Sequence, residues 1–260
     1  MNPLQRTLIE KAGNDNGFEH VVASETKAAA AAAAAAVALA SARHPSVALV
    51  GLASGVYQVQ FQAATPTLLP ELLRSFPEAY AESGVFALMT EAALAAFLRR
   101  AASLSRALPS QAATDYQQAA AAELAVLPAG IIGTEVERLV RQRVGQNKFR
   151  DAMLDYWGGA CAVTGVAIPE VLRASHAKPW AECESDAERL DVFNGFLLSA
   201  NLDALFDRFL ISFDNQGALV IAPTLAEMDL LPLGIRPGMK LRWINALHQP
   251  YLALHRVRLL

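Results

Sequence analysis

The chain has 260 residues, of which 53% are hydrophobic and 18% are charged, and its formal net charge is −3. At about 100–200 residues per domain, this length accommodates one large or two smaller domains with a buried core. The composition excludes a wholly disordered chain, and the mildly acidic balance excludes a protein that binds nucleic acid through overall charge alone. Two cysteines are too few for a disulfide framework or a four-thiolate zinc site, so we expect free thiols in a reducing cytoplasm.

No stretch of the sequence predicts a membrane span or a signal peptide. The most suspicious run, residues 28–42, is shorter than the roughly 20 residues that a span requires, and it consists mainly of weakly hydrophobic alanine. Residues 1–20 carry five charged side chains and no apolar h-region. We therefore expect a cytoplasmic location and no membrane partner.

The N-terminal half is predicted to be a mixed, helix-rich domain, and it contains no motif that indicates a role. Residues 1–20 predict a short amphipathic helix. The alanine-rich run at 27–42 is compositionally helical because alanine has the highest helix propensity, and a variable low-complexity insertion is the alternative interpretation. Residues 47–50 and 56–61 predict two strands, and residues 91–127 have the periodicity of a helical region.

A loop rich in proline and glycine at residues 128–133 predicts the boundary between two domains, 1–133 and 134–260. A capping box follows this loop, with Thr134 at the N-cap and a glutamate three residues later. It starts a helix that we expect to end near Trp157, before two consecutive glycines.

The first part of this helix carries an excess of positive charge. Residues 134–150 include five basic side chains and only two acidic ones. Such a helix can lie along a phosphate backbone, with Arg141 and Lys148 among the candidate contacts, or it can present a solvated face. The sequence leaves both interpretations open.

The segment at residues 161–214 contains the residues with catalytic potential. The predicted order at its centre is a strand that Pro179 ends, a second strand entered through a turn at 192–195, and a short helix at 201–208. Asn201 is the expected N-cap of that helix.

Further along, residues 210–213 and 218–221 predict a hairpin, and residues 250–256 predict a helix that closes the module. His248 and His255 do not have the spacing of two metal ligands on one helix face, so we expect them to have packing roles.

Asp203 and Asp207 lie four residues apart, so the predicted helix places both carboxylates on one face. Two adjacent carboxylates repel each other, and a divalent ion that prefers hard oxygen ligands, such as Mg²⁺ or Mn²⁺, would relieve that repulsion. His176, with an ordinary pKa of about 6.5, suits proton removal from water, and Asn194 is a candidate to orient its ring through the side-chain oxygen. Together these residues fit metal-assisted phosphodiester hydrolysis, although each alone is more often structural or solvated.

Three motifs in this order resemble the HNH nuclease family, in the branch that carries Ser-His-x-Lys-Pro-Trp, Asn-Gly-x-Leu-Leu and Leu-Asp-x-Leu-Phe-Asp. They stand here at residues 175–180, 194–198 and 202–207, with Ile-Ser-Phe following at 211–213. The resemblance is dense over 161–214 and looser over the flanking residues. It implies an α+β chain in which a C-terminal ββα-metal nuclease module, with a capped helix at its N-terminal flank, follows the mixed, helix-rich domain.

The resemblance also implies the roles of the site residues. His176 is the implied general base, and Asn194 holds the base and the second strand. Asp203 falls where many relatives place a metal-binding histidine, and Asp207 falls where some place a further metal or phosphate contact. Ser175 stands where many relatives have a metal ligand, so one divalent ion, Mg²⁺ or Mn²⁺, is expected on the two aspartates with water and phosphate. Relatives often carry a structural zinc on two Cys-x-x-Cys pairs; most of those cysteines are missing here, so no structural zinc is expected.

The activity that the resemblance implies is DNA endonuclease activity, with Lys178, Arg173 and Arg208 as candidate contacts to flanking phosphates. One context is a restriction or defence enzyme whose residues 1–133 select the target. The alternative is a nuclease-like fold that has lost activity and only binds DNA, because Ser175 is a poor metal ligand. Cleavage of both strands would call for two active sites, which a homodimer would supply, but no interface is legible in the sequence.

Overall fold

The computed structural model describes residues 1–22, 36–62, 64–109, 111–127 and 135–260, and its fold is α+β. The chain divides into two compact units, Met1–Leu108 and Pro109–Leu260. The division lies ahead of the boundary expected at residues 128–133, which fall outside the described residues. Within the described ranges, no helix is long and apolar enough to cross a membrane.

The N-terminal unit is built on an antiparallel sheet whose five described strands lie in chain order. These strands are β1 (His20–Val21), β2 (Ala36–Ala40), β3 (Val47–Ala53), β4 (Val56–Gln62) and β5 (Phe86–Leu88). The described helices of this unit are α1 (Pro3–Asp15), α2 (Leu68–Ser75) and α3 (Glu91–Ala107). Phe97 of α3, Ile9 of α1 and Val50 of β3 are fully buried, so helices and sheet share one core.

The predicted helix near the N-terminus and the two predicted strands are confirmed. Helix α1 begins at a capping box in which Asn2 and Gln5 exchange side-chain to backbone hydrogen bonds. Strands β3 and β4 form a hairpin in which Ala53 lies opposite Val56. Ser54 and Gly55 connect them with φ of 52° and 79°, the left-handed conformation that a tight hairpin turn requires.

The helix expected at residues 27–42 is wrong for residues 36–40, which form strand β2 between β1 and β3. Val37 and Leu39 are fully buried there and alternate with half-buried alanines. Burial of these two side chains in the sheet outweighs the helix propensity of alanine. The remaining part of the run, up to residue 35, lies outside the described residues.

The C-terminal unit combines two short antiparallel strand pairs with helices. Its described elements are α4 (Gln111–Ala125), α5 (Glu135–Trp157), β6 (Leu172–His176), α6 (Asp186–Arg189), β7 (Gly195–Ser199), α7 (Ala200–Phe206), β8 (Ile211–Phe213), β9 (Leu219–Ile221) and α8 (Gln249–Arg256). Strand β6 pairs with β7, and β8 pairs with β9. Helix α4 packs along α5, which explains why the contacts group it with this unit. The predicted end of α5 at Trp157, the hairpin and the closing helix are confirmed, whereas the Thr134 cap lies outside the described residues.

An aromatic core fixes α5 against β7. Tyr156 and Trp157 at the end of α5 are fully buried, as is Phe196 of β7. Trp157 stacks on Trp243 with 4.3 Å between ring centroids. The two cysteines, Cys161 and Cys183, are buried free thiols in this unit, as expected.

Candidate active site

Strands β6 and β7 and helix α7 form the frame of the site, which confirms the predicted order of strand, strand and helix. In the ladder, His176 lies opposite Gly195. A Cβ atom on Gly195 would lie 2.1 Å from the Ser175 carbonyl oxygen, so the close approach of the strands requires glycine at this position. Strand β7 leads directly into α7, whose Leu202 and Phe206 are buried, so the helix is anchored by its apolar face.

The expected N-cap of α7 is wrong. Helix α7 begins at Ala200, so Ser199 occupies the N-cap position and Asn201 is the second helical residue. The Asn201 side chain accepts a hydrogen bond from Ser199 Oγ and donates one to the Leu233 carbonyl oxygen. Asn201 therefore ties the helix to a later loop instead of capping it.

His176, Asp203 and Asp207 line the same cleft, which has a volume of about 510 Å³. We call it the active-site cleft. Its wall is completed by residues from α5, from β6 and the loop after it, and from the C-terminal part of the chain: Gln146, Asn147, Phe149, Arg150, Arg173, Ala174, Pro179, Trp180, Phe209 and His255. The fold thus brings the predicted base and both predicted carboxylates to one place.

A backbone carbonyl and two aromatic rings hold the imidazole of His176. Nε2 lies 2.8 Å from the Arg189 carbonyl oxygen. A carbonyl can only accept, so Nε2 carries the hydrogen and Nδ1 is the basic nitrogen of the neutral ring. The ring stacks on Phe149 at 3.7 Å between centroids and meets the edge of Trp180 at 5.7 Å. Burial in this setting lowers the pKa of His176 to about 4, so the ring is neutral at pH 7.

Asn194 does not contact that imidazole, so the direct contact expected from the sequence is wrong. Asn194 is fully buried, and its Oδ1 accepts a hydrogen bond from the Lys178 backbone N–H at 2.8 Å. Its Nδ2 donates to the Glu188 carbonyl oxygen at 3.2 Å. Asn194 therefore stabilises the loop between β6 and β7, and the Arg189 carbonyl that bonds to His176 lies in that loop.

The two carboxylates differ in their surroundings. Buried Ser175 donates a hydrogen bond from Oγ to Asp203 Oδ1 at 2.6 Å, so this serine holds the carboxylate next to the cleft. Asp207 is exposed, and it lines the cleft. Partial desolvation and, secondly, the negative charge of Asp203 raise the pKa of Asp207 to about 6, against the opposing charge of Arg208.

The donor set at the cleft is suited to a hard divalent ion but is incomplete by itself. The carboxylates of Asp203 and Asp207 could serve as oxygen ligands, and a cation would relieve the repulsion between them. Across the described ranges, no group of three or more His, Cys, Asp or Glu side chains is close enough to hold a metal. Water and a substrate phosphate would have to complete the coordination sphere.

The basic residues proposed from the sequence as phosphate contacts lie in different environments. Arg173 lines the active-site cleft and donates from Nη1 to the carbonyl oxygens of Glu170 and Leu172. Lys178 forms an ion pair with Glu188 at 2.7 Å and is not part of the cleft wall. Arg208 is exposed beside Asp207, Lys148 is half-buried, and Arg141 pairs with Glu137 at 2.8 Å on the surface of α5.

Arg150 is a cleft residue that the sequence reasoning did not select. Its two terminal nitrogens donate to the carbonyl oxygens of Leu172 and Pro169, so it joins α5 to the start of β6. The positive charge of residues 134–150 indicates phosphate contacts on this helix. Helix periodicity alone, however, does not show that Arg150 lines the cleft whereas Arg141 does not.

His255 also lines the cleft, and both of its ring nitrogens are engaged. Nε2 lies 3.0 Å from the Phe206 carbonyl oxygen, and Nδ1 lies 3.0 Å from Ser212 Oγ. The ring stacks on Phe206 with 3.9 Å between centroids. This confirms the packing role expected of His255.

Comparison with known families assigns the segment that contains this frame. Residues 161–214 match the family described as HNH endonuclease, and this match covers β6, β7, α7 and β8. A search of curated proteins finds no match. The matched segment includes His176, Asn194, Asp203 and Asp207, and the family description indicates nuclease chemistry on nucleic acid. The C-terminal unit of the chain therefore contains a segment that matches the HNH endonuclease family.

Proposed function

We propose that the protein is a divalent-metal-dependent DNA endonuclease that hydrolyses phosphodiester bonds. One observation supports this most directly: a neutral imidazole with a defined tautomer lines the same cleft as two carboxylates, one in helix α7 and one on the residue that follows it. These are the groups that phosphodiester hydrolysis needs, namely a proton acceptor for water and oxygen ligands for a cation.

In the proposed reaction, Nδ1 of His176 accepts a proton from the water that attacks phosphorus, and the bond between phosphorus and the 3′ oxygen breaks in line with the attack. The hydrogen bond from Nε2 to the Arg189 carbonyl keeps Nδ1 unprotonated before attack and stabilises the imidazolium after it. The low pKa of the buried ring makes it a weak base, and the negative charge of a bound phosphate opposes that shift.

Asp203 and Asp207 would hold the divalent ion, with Ser175 fixing one oxygen of Asp203. When bound, Mg²⁺ or Mn²⁺ would supply charge neutralisation for the phosphate and the leaving oxygen. Arg173 and Arg150, which line the cleft, supply positive charge for the same phosphate backbone.

Plasmid cleavage tests the proposal. Purified wild-type protein and the His176→Ala variant are incubated with supercoiled DNA in the presence of Mg²⁺, Mn²⁺ or EDTA. We expect metal-dependent nicking by the wild type that disappears in EDTA and in the variant. Arg236→Gln is a matched surface control, since Arg236 is exposed and does not line the active-site cleft.

A folded wild-type protein that leaves plain and base-methylated DNA intact would contradict the proposal. Binding of DNA without cleavage would then favour the alternative, a nuclease fold that only binds. Ser175 would then be the candidate cause of the lost activity, because it stands where a further metal ligand is expected and bonds to Asp203 instead.

The wider role that we propose is restriction or defence, with the residues ahead of the nuclease segment, 1–133, selecting the target. Its support is the arrangement of the chain: the N-terminal unit has its own sheet and core, and the wall of the active-site cleft comes from residue 146 onward. Sequencing the ends of cleaved DNA tests target selection, and light scattering at working concentration tests the homodimer that double-strand cleavage would call for.

A further inference from the structure

A second cleft, of about 460 Å³, lies next to the active-site cleft in the C-terminal unit. We call it the arginine cleft. It is lined by residues of α4, α5 and the loop between β6 and β7: Tyr116, Arg138, Arg141, Gln142, Trp180, Ala181, Asp186 and Arg189. Trp180 lines both clefts, so its indole is a shared wall between them.

The lining of the arginine cleft is rich in guanidinium groups. It contains three guanidinium groups and one carboxylate, that of Asp186. Arg138 bonds to Glu135 and Arg141 bonds to Glu137, but neither glutamate belongs to the lining. Arg189 likewise pairs with Asp186, so each guanidinium group has one carboxylate partner, and the attraction for a phosphate rests on the N–H donors that these pairs leave unused.

Arg138 and Arg141 keep donors available for a ligand, whereas all three guanidinium nitrogens of Arg189 are bonded to Asp186 and to the carbonyl oxygens of Trp180 and Cys183. Each has five N–H donors, and the bond to Glu135 engages one terminal nitrogen of Arg138, whose side chain is 73% exposed. Arg141 uses Nε for Glu137 and also bonds the buried Tyr116 hydroxyl, while its side chain remains 47% exposed. Tyr116 therefore holds Arg141 at the edge of the cleft, where a phosphate can reach it.

The arginine cleft is also coupled to the catalytic base. The Arg189 side chain lines it and donates to Asp186 Oδ1 at 3.0 Å, while the carbonyl of the same residue accepts the hydrogen bond from His176. The indole of Trp180 contacts the imidazole edge-on and faces the Arg189 guanidinium at 5.8 Å. A ligand in the arginine cleft would therefore contact the two residues that position the base.

We propose that the arginine cleft binds a flanking nucleotide of the DNA strand whose scissile phosphate lies at His176. Its phosphate pairs with Arg138 and Arg141, and its sugar or base packs on Trp180. The volume lies within the range of about 300–1,000 Å³ for small-ligand sites, and an aromatic wall beside guanidinium groups is the combination that binds nucleotides. This inference rests on the proposed nuclease function and names how that site holds its substrate.

The test is the salt dependence of DNA binding. The affinity of a fluorescent 20-base-pair duplex is measured in EDTA over a series of NaCl concentrations, for the wild type and for Arg138→Gln, Arg141→Gln and Arg236→Gln. The logarithm of the association constant falls linearly with log[salt], and loss of one phosphate contact makes this slope less steep by about 0.9. We expect this for both cleft variants, with binding at low salt weaker by roughly threefold to tenfold, and wild-type behaviour for Arg236→Gln.

Arg138→Gln is the decisive variant because its exposed pair with Glu135 contributes little to folding, whereas Arg141→Gln also removes a bond to buried Tyr116. Thermal unfolding shows whether each variant is folded. Unchanged affinity and unchanged slope for a folded Arg138→Gln protein would overturn the inference.

A separate reaction distinguishes this failure from failure of the proposed function. Hydrolysis of bis(4-nitrophenyl) phosphate with Mn²⁺ by wild type and His176→Ala needs no flanking nucleotide. If the wild type hydrolyses neither this diester nor DNA while Arg138→Gln still weakens DNA binding, the nuclease proposal fails and the nucleotide site stands. If wild type cuts and Arg138→Gln binds DNA as wild type does, only the nucleotide site fails.

Discussion

His176 should remain uncharged well below the pH at which an ordinary histidine takes up a proton. Burial against Phe149 and Trp180 lowers its pKa to about 4, and only the hydrogen bond to the Arg189 carbonyl opposes this shift. At pH 5.5 a group with a pKa of about 4 is about 97% neutral, whereas a group with a pKa of about 6.5 is about 9% neutral. The fold therefore keeps about tenfold more of the base in its proton-accepting form at this pH.

NMR titration of the histidine Cε1–H signals between pH 4 and 8 measures this directly. The chain has five histidines, and the spectrum of His176→Ala identifies the signal of His176. NMR is preferred to a pH profile of activity, because protonation of Asp207 near pH 6 would also change the activity. The titration is done without metal. A wild-type His176 that titrates near 6.5 would refute the reasoning from burial.

The variant Phe149→Leu tests the cause of the shift. Phe149 is 1% exposed and stacks on the imidazole, so a smaller, non-planar side chain lets water approach the ring. We expect the pKa of His176 to rise towards 6.5 in this variant. An unchanged pKa would mean that the aromatic contact is not what desolvates the base.

Three further predictions concern stability and metal binding. Burial lowers the pKa of His255 to about 4, so the unfolded state takes up a proton below about 6.5 while the folded state does not. Stability should therefore fall by ~3 kcal/mol between pH 6.5 and 4 from this residue, and urea unfolding of His255→Gln should lack that component. Gly195→Ala places a Cβ 2.1 Å from the Ser175 carbonyl and should lower the free energy of unfolding by about 3 kcal/mol in urea titrations; equal stability would contradict the close approach of β6 and β7 at this position. Mn²⁺ affinity measured by calorimetry should weaken as pH falls through about 6, because Asp207 takes up a proton there. The Asp207→Asn variant should bind Mn²⁺ more weakly and lose that pH dependence. Equal affinity of the wild type at pH 5 and 7 would argue against Asp207 as a ligand.

Local pattern was sufficient to predict the frame of the site. Strands β6 and β7, helix α7 and the closing helix α8 were all predicted, because alternation, helical spacing and turn residues act over a few neighbouring positions. The four-residue spacing of Asp203 and Asp207 predicted that they share one helix face; Asp207 instead directly follows the end of α7, and both residues line the active-site cleft.

Contacts between distant parts of the chain could not be predicted in this way. The bond from Ser175 to Asp203 spans 28 positions, and the bond from His176 to the Arg189 carbonyl spans 13. Neither has a periodic signal, because the first depends on how α7 packs against β6 and the second on how the loop between β6 and β7 folds back. The helix prediction at strand β2 is wrong for a related reason: pairing with the neighbouring strands of the sheet overrides the intrinsic helix preference of its alanines.

The group that orients the imidazole of His176 is a main-chain carbonyl, which changes how the protein tolerates substitutions at that position. Replacing the side chain at position 189 leaves a carbonyl there, so a scan of point substitutions does not delete that acceptor. Insertion or deletion of one residue between Pro179 and Arg189 would instead put a different carbonyl opposite Nε2. The length of this loop, more than the chemical identity of its members, is therefore the feature that evolution or an engineer would have to preserve.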